Sequence, residues 1–213
     1  MATGTTLPMA AEDRMCYPRA LENPLRRRFA PPSREVTLLD PRPGETVADL
    51  GAGVGYFDPE ILRRIGAGGH LYAVDIDSEN LALAQRRVGG AGQVEFRVGS
   101  AAQVPNIPSD SVDRVLLSLV ICCMVDKEGA LDEAWRILRP GGVALITYPK
   151  RRLPFRRRPS LRVVPERWTA LQVRHPWVVR PVRSSWIVQR HLLQKLLTTG
   201  RPTDPAGRSR SIG

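Results

Sequence analysis

Three glycines and two aspartates in one part of the chain have the types and spacing of a ligand site. The run is Val47-Ala-Asp-Leu-Gly-Ala-Gly-Val-Gly-Tyr-Phe57, and Asp75 follows 20 residues beyond its last glycine. Closely spaced glycines after a strand let the backbone turn tightly, and the helix that follows directs free N–H groups at a ligand. A carboxylate at the distance of Asp75 is placed to accept hydrogen bonds from ribose hydroxyls. The pattern predicts a nucleotide-like ligand at this loop.

Two residues distinguish between the ligands that such a loop can take. A dinucleotide loop needs Gly or Ala three residues after its second glycine, for close packing of the helix, and that position holds Tyr56. Asp49, two residues before the first glycine, would repel a diphosphate and attract a cation. S-adenosylmethionine (SAM) has no phosphate and carries a sulfonium and an ammonium group. We therefore predict SAM as the cofactor, with an NAD(P) oxidoreductase as the disfavoured alternative.

The apolar pattern predicts the elements that hold this loop. Short β-branched runs alternate with longer amphipathic stretches, which indicates βαβ units. Five linked strands within about 100 residues require a mostly parallel α/β sheet with helices on both faces, and ligands bind at the carboxyl ends of its strands. The predicted strands are residues 46–50, 70–74, 94–98, 112–119 and 143–147. The predicted helices are residues 19–29, 33–39, 56–65, 78–88 and 127–138.

Length and composition favour one main domain. A chain of 213 residues can bury a core without disulfides or a structural metal. The three cysteines, Cys16, Cys122 and Cys123, contain no CxxC pair, so we expect neither a disulfide framework nor a metal site. The start lacks a signal-peptide pattern, and no apolar run approaches the ~20 residues of a membrane helix. We expect a soluble, cytoplasmic protein.

Five ordered motifs resemble the class I SAM-dependent methyltransferases. They are VADLGAGVGYF at 47–57, LYAVDIDSENL at 71–81, VEFRVGSA at 94–101, DSVDRVLLSLV at 110–120 and ALDEAWRILRPGGVALI at 130–146. Within that class the chain is most similar to the type 11 group, which contains the ubiquinone/menaquinone C-methyltransferases. The resemblance covers residues 36–147. It implies a Rossmann-like sheet and methyl transfer to a small-molecule acceptor that is quinone-like, a lipid or a natural product.

The resemblance also implies which residues contact the cofactor. Asp75 would bind the ribose, and Ile76 would pack on the adenine. Where the family often has Gly-Asp-Ala after the third strand, this chain has Ser100 in the middle position, which offers the adenine one hydrogen bond without a charge. The segment that begins at Ser118 would border the transferring methyl group through backbone carbonyls. The predicted cofactor-binding residues are Asp49, Gly51, Ala52, Gly53, Gly55, Asp75, Ile76, Ser100, Ala101 and Ser118, of which Asp49 and the three glycines would hold the methionine moiety.

The sequence predicts no particular catalytic residue. Methyl transfer from a sulfonium is an in-line displacement with an activated leaving group, so alignment and a dry site are sufficient. Tyr17, His70 and Asp126 are the candidate bases, and His70 falls at the wrong end of its strand for the site. Cys122 and Cys123 follow the fourth strand, where thiols could bind a soft substrate, but inert apolar packing is the favoured interpretation.

The basic residues are concentrated at one end of the chain. Residues 148–213 hold 16 of the 32 lysines and arginines but only two of the 21 acids, with Trp168, Trp177 and Trp186 among them. We therefore divide the chain into an N-terminal arm (1–40), a SAM-binding domain (41–149) and a basic, partly disordered extension (150–213). The positive net charge belongs to the extension and does not describe the ligand of the domain.

Three interpretations of the extension stay open, because the family pattern does not continue recognisably after Pro149. Arginines can engage phosphates and tryptophans can stack on bases, so the chain could be a methyltransferase-like RNA-binding protein with weak or no turnover. A basic patch could instead contact an anionic membrane. The third interpretation is a divergent terminus with little selected structure. Short strands are predicted at 163–164, 171–173 and 177–179, a helix at 185–197, and disorder at 203–213.

Overall fold

The computed structural model describes residues 31–104, 106–150 and 163–197. The predicted helix at 19–29, Cys16, Tyr17 and the segment predicted to be disordered lie outside the described residues. The helices are α1 Pro32–Leu39, α2 Asp58–Ile65, α3 Ser78–Val88, α4 Lys127–Ile137 and α5 Pro165–Gln172. The strands are β1 Thr46–Leu50, β2 His70–Asp75, β3 Val94–Val98, β4 Val112–Ser118, β5 Leu138–Pro149, β6 Trp177–Arg180 and β7 Val188–Lys195.

All seven strands form one sheet in the order β3-β2-β1-β4-β5-β7-β6. The first five strands are parallel to one another, whereas β7 runs antiparallel to both β5 and β6. The predicted mostly parallel, Rossmann-like sheet is therefore confirmed. The chain order reverses between β1 and β4, and ligands of such sheets bind at the carboxyl ends of the strands beside this point.

Helices cover both faces of the sheet. Successive residues of β4 point to opposite faces, so Leu116 packs in one core cluster while Val115 and Leu117 pack in the other. The cluster around Leu116 contains the buried residues of α1 and α2, namely Val36, Leu39, Ile61 and Ile65. The other cluster contains those of α4 and α5, which include Leu131, Ala134, Trp168 and Leu171. This two-sided burial explains why the strands are short apolar runs in the sequence.

Local capping sets the starts of α2 and α3. The helix predicted from residue 56 begins at Asp58, with Pro59 in its first turn, where the fixed φ of proline suits a helix start. The next helix begins at Ser78 as predicted, and Asp77 caps it, since the Asp77 side chain accepts a 2.9 Å hydrogen bond from the Glu79 N–H.

The described part of the extension completes the sheet. Of the predictions made there, only the strand at 177–179 is confirmed, by β6. The strand predicted at 163–164 is wrong, because these residues have no regular structure and precede α5, and the one predicted at 171–173 is wrong because α5 extends to Gln172. The helix predicted at 185–197 is wrong because β7 forms there. β7 lies between β5 and β6, and its adjacent residues Leu192 and Leu193 pack into opposite core clusters. A strand buried on both faces has no simple alternation, so its pattern can be mistaken for that of a helix.

A buried ion pair attaches this last strand to the first described helix. Nε of Arg190 in β7 lies 3.0 and 2.9 Å from the two carboxylate oxygens of Glu35 in α1, and both residues are at most 2% exposed. Such a pair joins segments that are 155 positions apart in the sequence. The start and the end of the described chain therefore form part of one packed structure.

Candidate functional site

A cavity lies at the carboxyl ends of β1, β2 and β4, beside the reversal of strand order. It is lined by Gly51, Ala52, Gly53, Val54, Tyr56, Phe57, Asp75, Ile76, Asp77, Asn80, Gly99, Ser100, Ala101, Ser118, Leu119, Val120, Cys123 and Met124. Eight of the ten predicted cofactor-binding residues are among them, and the two that are not are Asp49 and Gly55. The structure thus brings most of the predicted set together, while the role of each residue towards a cofactor stays a prediction.

Asp75 anchors the glycine loop to the end of β2. Its Oδ2 accepts a 2.7 Å hydrogen bond from the Gly53 N–H, and its Oδ1 accepts from the Asp77 N–H at 3.0 Å and from Asn80 Nδ2 at 3.3 Å. Burial raises the pKa of Asp75 above its ordinary value, although these hydrogen bonds act in the opposite direction. Each carboxylate oxygen has more than one acceptor position, so Asp75 can hold the loop and still accept from a ligand.

Gly51 and Gly55 are needed for different reasons. Both have positive φ, 83° and 70°. A Cβ on Gly51 would lie 2.3 Å from Cγ2 of Val120, so the absence of a side chain lets the segment after β4 pack closely against the loop. A Cβ on Gly55 would lie 2.8 Å from both Asp58 Oδ2 and Cβ of Ala84 in α3. Gly55 therefore permits close packing behind the loop, which explains why it does not line the cavity.

Asp49 and Asp58 form a buried carboxyl pair beneath the loop. Asp49 is 1% exposed and Asp58 is 0% exposed. Burial raises the pKa of Asp58 to about 7, while its hydrogen bond with Asp49 and the charge of Arg87 lower it. Two carboxyl groups can share a hydrogen bond only when one of them keeps its proton. Because the bond lowers the pKa of Asp58, it stabilises the Asp58 carboxylate, so Asp49 donates and Asp58 accepts. The sequence did not reveal Asp58, because an acid in the first turn of a helix is an ordinary capping feature.

The variant Asp58→Asn should change the pH dependence of stability. The pKa of Asp58 rises from the ordinary 3.8 in the unfolded chain to about 7 in the folded one, so the folded state keeps an extra proton between these values. The free energy of unfolding therefore falls as the pH rises through this window. Asparagine cannot ionise and its amide oxygen can still accept from Asp49, so we expect the variant to be more stable than the parent at pH 8 by on the order of 3 kcal/mol. Urea unfolding at pH 5 and pH 8 measures this difference.

Glu79→Gln is the control for this prediction, since Glu79 is an exposed acid in the first turn of α3. Its free energy of unfolding should follow that of the parent at both pH values. Parallel pH profiles for Asp58→Asn and the parent would contradict the raised pKa of Asp58.

The segment after β4 enters the cavity through a strained residue. Leu119 has a φ of 64°, a conformation that is costly for a residue with a Cβ and a branched side chain. Its N–H donates to the Thr147 carbonyl at 2.9 Å, and its own carbonyl oxygen lies 3.2 Å from the Sγ atoms of Cys122 and Cys123. Cys123 lines the cavity, and Cys122 is buried in the core beside it. Cys122 is a free, buried cysteine whose predicted inert role stays a prediction. Cys123 is disulfide-bonded, which the cysteine count did not lead us to expect.

The remaining candidate bases are not placed at the cavity. His70 is the first residue of β2, at the amino end of the strand. Asp126 caps α4, where its side chain accepts a 2.7 Å hydrogen bond from the Gly129 N–H. Within the described ranges, no group of three His, Cys, Asp or Glu side chains could hold a metal ion. No described helix is long and apolar enough to cross a bilayer, and the cytoplasmic location stays a prediction.

Comparisons with known proteins agree with this geometry. Residues 48–146 match the family model described as a methyltransferase domain. The chain is 35% identical over 115 residues to an arsenite methyltransferase of Halobacterium salinarum, covering 53% of this chain and 29% of that protein. It is 32% identical over 108 residues to the ubiquinone/menaquinone biosynthesis C-methyltransferase UbiE of Vibrio vulnificus, and this match covers 49% of this chain and 41% of that protein. The chain therefore spans less than half the length of these two curated relatives.

A solved structure shows the same fold over most of the chain. A SAM-dependent methyltransferase from Aquifex aeolicus superimposes with a TM-score of 0.72 at 20% identity. The match covers 84% of this chain and 97% of that chain. This structural match covers more of the chain than residues 48–146. The shared fold therefore includes segments outside the match to the family model.

Proposed function

We propose that this chain, which carries a class I, type 11 methyltransferase domain, transfers the methyl group of SAM to a small-molecule acceptor. SAM is the cofactor that the family and the structural neighbours indicate. The observation that carries the proposal is the position of Asp75, a buried carboxylate at the end of β2 that is joined to the glycine loop across the cavity wall. The acceptor class and the activity of the whole protein are part of the proposal.

The residues of the cavity fit this cofactor. Asn80 is 6% exposed and lines the cavity, and its Nδ2 donates to Asp75, which leaves Oδ1 without a hydrogen-bond partner among the described residues. A buried acceptor without a donor is costly, so a ligand hydroxyl at this position would be favoured. Asp75 and Asn80 together offer the acceptors that the two hydroxyls of a ribose require. Ile76 provides the apolar flank for an adenine, and Gly51 and Gly53 provide open backbone for the methionine part.

The other end of the cavity supports methyl transfer. When bound, SAM supplies a methyl group on an activated sulfonium leaving group. The residues of this chain then have to align the acceptor and exclude water. Phe57, Val120 and Met124 are apolar and line this end. The strained backbone at Leu119 holds the segment after β4 against the glycine loop, which fixes the distance between the two ends of the cavity.

The test is transfer of radiolabelled methyl from SAM to small molecules by the full chain. The panel should contain hydroquinones, catechols, fatty acids and arsenite, because the two curated relatives are named for chemically different methyl acceptors. We expect labelled product with at least one compound and inhibition by S-adenosylhomocysteine. Folded protein that binds neither SAM nor S-adenosylhomocysteine in calorimetry would contradict the proposal.

The described residues lend no support to RNA or membrane contact through the extension. Trp168 is 5% exposed and stacks on His191 at a ring-centroid distance of 3.8 Å, inside the structure. Arg190 is buried against Glu35, and Arg174 pairs with Asp132 of α4 at 2.5 Å. Trp168 and Arg190 therefore stabilise the fold and are not presented to a partner, whereas Arg174 lies in an ion pair at the surface. A methyltransferase-like protein without turnover would be distinguished by SAM binding without transfer to any compound of the panel.

A further inference from the structure

Two hydroxyl groups lie side by side at the carboxyl ends of β4 and β5. Ser118 ends β4, Thr147 is its registered partner in β5, and their oxygens are 3.0 Å apart. Ser118 is partly exposed and lines the cavity, whereas Thr147 is 1% exposed. The pair therefore joins the cavity wall to the interior of the sheet.

The burial of Thr147 decides the direction of this hydrogen bond. Each hydroxyl has one proton, and the distance alone allows either oxygen to donate. If Ser118 donated, the Thr147 proton would be buried with no acceptor among the described residues, at the cost of an unsatisfied donor. Thr147 therefore donates to Ser118. The Ser118 proton is then free to point into the cavity, and its oxygen is held in place from behind.

The side chains around Ser118 in the segment after β4 are apolar, so its hydroxyl proton is the hydrogen-bond donor that this part of the cavity wall offers. Ser118 is the only oxygen-bearing side chain in residues 118–124, the segment that carries the chain from β4 past the cavity. Leu119, Val120 and Met124 provide apolar lining there. A single donor on an apolar wall orients a largely apolar molecule through one oxygen.

We propose that Ser118 binds the methyl acceptor by donating a hydrogen bond to an acceptor oxygen, and that Thr147 positions Ser118 for this contact. This inference rests on the proposed function and narrows its substrate class to apolar molecules with a hydroxyl, enol or phenol oxygen next to the methylated atom. Ser118 contributes its side chain to the acceptor, while its backbone borders the cofactor. Thr147 acts only through Ser118.

The test compares two probes of equal shape on protein saturated with S-adenosylhomocysteine. 4-Nitrophenol carries the oxygen, and 4-nitrotoluene has a methyl group in its place. We expect the parent to bind 4-nitrophenol at least about tenfold more tightly than 4-nitrotoluene in calorimetric titrations, which is the value of one good hydrogen bond. Ser118→Ala should bring this ratio close to one. Thr147→Val should reduce it several-fold, and Thr147→Ser, which keeps the donor, should restore it.

Ser111→Ala is the matched control, because Ser111 precedes β4 at the opposite end and bonds to the Pro108 carbonyl. It should keep the parent ratio. The Ser111→Ala protein should also keep the parent affinity for S-adenosylhomocysteine within about twofold, and every variant should still be saturated by this compound, which separates this inference from the proposed function. A parent without preference for 4-nitrophenol, or a Ser118→Ala protein that keeps the preference, would overturn the inference. Loss of S-adenosylhomocysteine binding by the parent would overturn the proposed function itself.

Discussion

Asp75→Ala is expected to weaken the binding of SAM about a hundredfold, because it removes a carboxylate that would accept from the ribose and that also holds the Gly53 N–H of the loop. Charge-assisted hydrogen bonds are stronger than neutral ones, so the loss exceeds that of a single ordinary contact. The protein should remain folded, since the substitution also removes a carboxylate whose raised pKa shows that burial disfavours its charge. Calorimetric titration with SAM and S-adenosylhomocysteine measures the effect.

Two further variants make this result specific. Asp75→Asn keeps the shape and one acceptor oxygen but loses the charge, so its affinity should fall between those of the parent and the alanine variant. Glu79→Ala changes an exposed acid nearby in α3 and should leave the affinity unchanged. Circular dichroism confirms folding in each case. An affinity for SAM within threefold of the parent in folded Asp75→Ala protein would show that Asp75 does not bind the cofactor.

Arg190→Met is expected to lower the free energy of unfolding by about 3–5 kcal/mol. The substitution preserves much of the apolar stem but leaves the carboxylate of Glu35 buried without its cation, and Glu35 is 1% exposed. The double variant Glu35→Gln/Arg190→Met removes both charges and should recover most of the loss, because the cost comes mainly from the orphaned partner. Urea unfolding of the two single variants and the double variant measures the coupling between these positions.

A second ion pair in the same part of the chain is the control. Arg174 pairs with Asp132 at the surface, where the two side chains are 41% and 38% exposed. Arg174→Met should therefore cost less than about 1 kcal/mol. If Arg190→Met cost no more than this control, β7 would not be held to α1 by the buried pair, and the packing that joins the two ends of the described chain would need another explanation.

The central half of the fold follows from local signals in the sequence. β1 to β5 are short apolar runs separated by amphipathic helices, and glycines mark the turns between them, so strand positions and the parallel arrangement were predictable. The chemistry of the glycine loop was predictable for the same reason. Asp49, Gly51, Gly53 and Asp75 are defined by spacing along the chain, and a parallel sheet brings the carboxyl ends of β1 and β2 to one edge.

Contacts between side chains on different elements could be established only from the tertiary structure. Asn80 is part of the site because it contacts Asp75, and Asp58 because it contacts Asp49. Thr147 is part of the site because it lies in register with Ser118. Asn80 stands in the motif at 71–81, but each of these side chains acts through a partner on another element. Spacing in the sequence carries no information about such pairs.

The extension shows the same division most clearly. Its charges and tryptophans suggested a partner outside the chain, and a helix was predicted where β7 forms. A central antiparallel strand is buried on both faces, so neither its hydrophobic period nor its composition identifies it, and Arg190 is tolerated inside only because Glu35 lies opposite it. The sequence alone was sufficient to predict the glycine loop at the end of β1, whose residues are neighbours along the chain. The completion of the sheet and the lining of the cavity were decided by contacts between residues far apart in the sequence, which only the folded chain brings together.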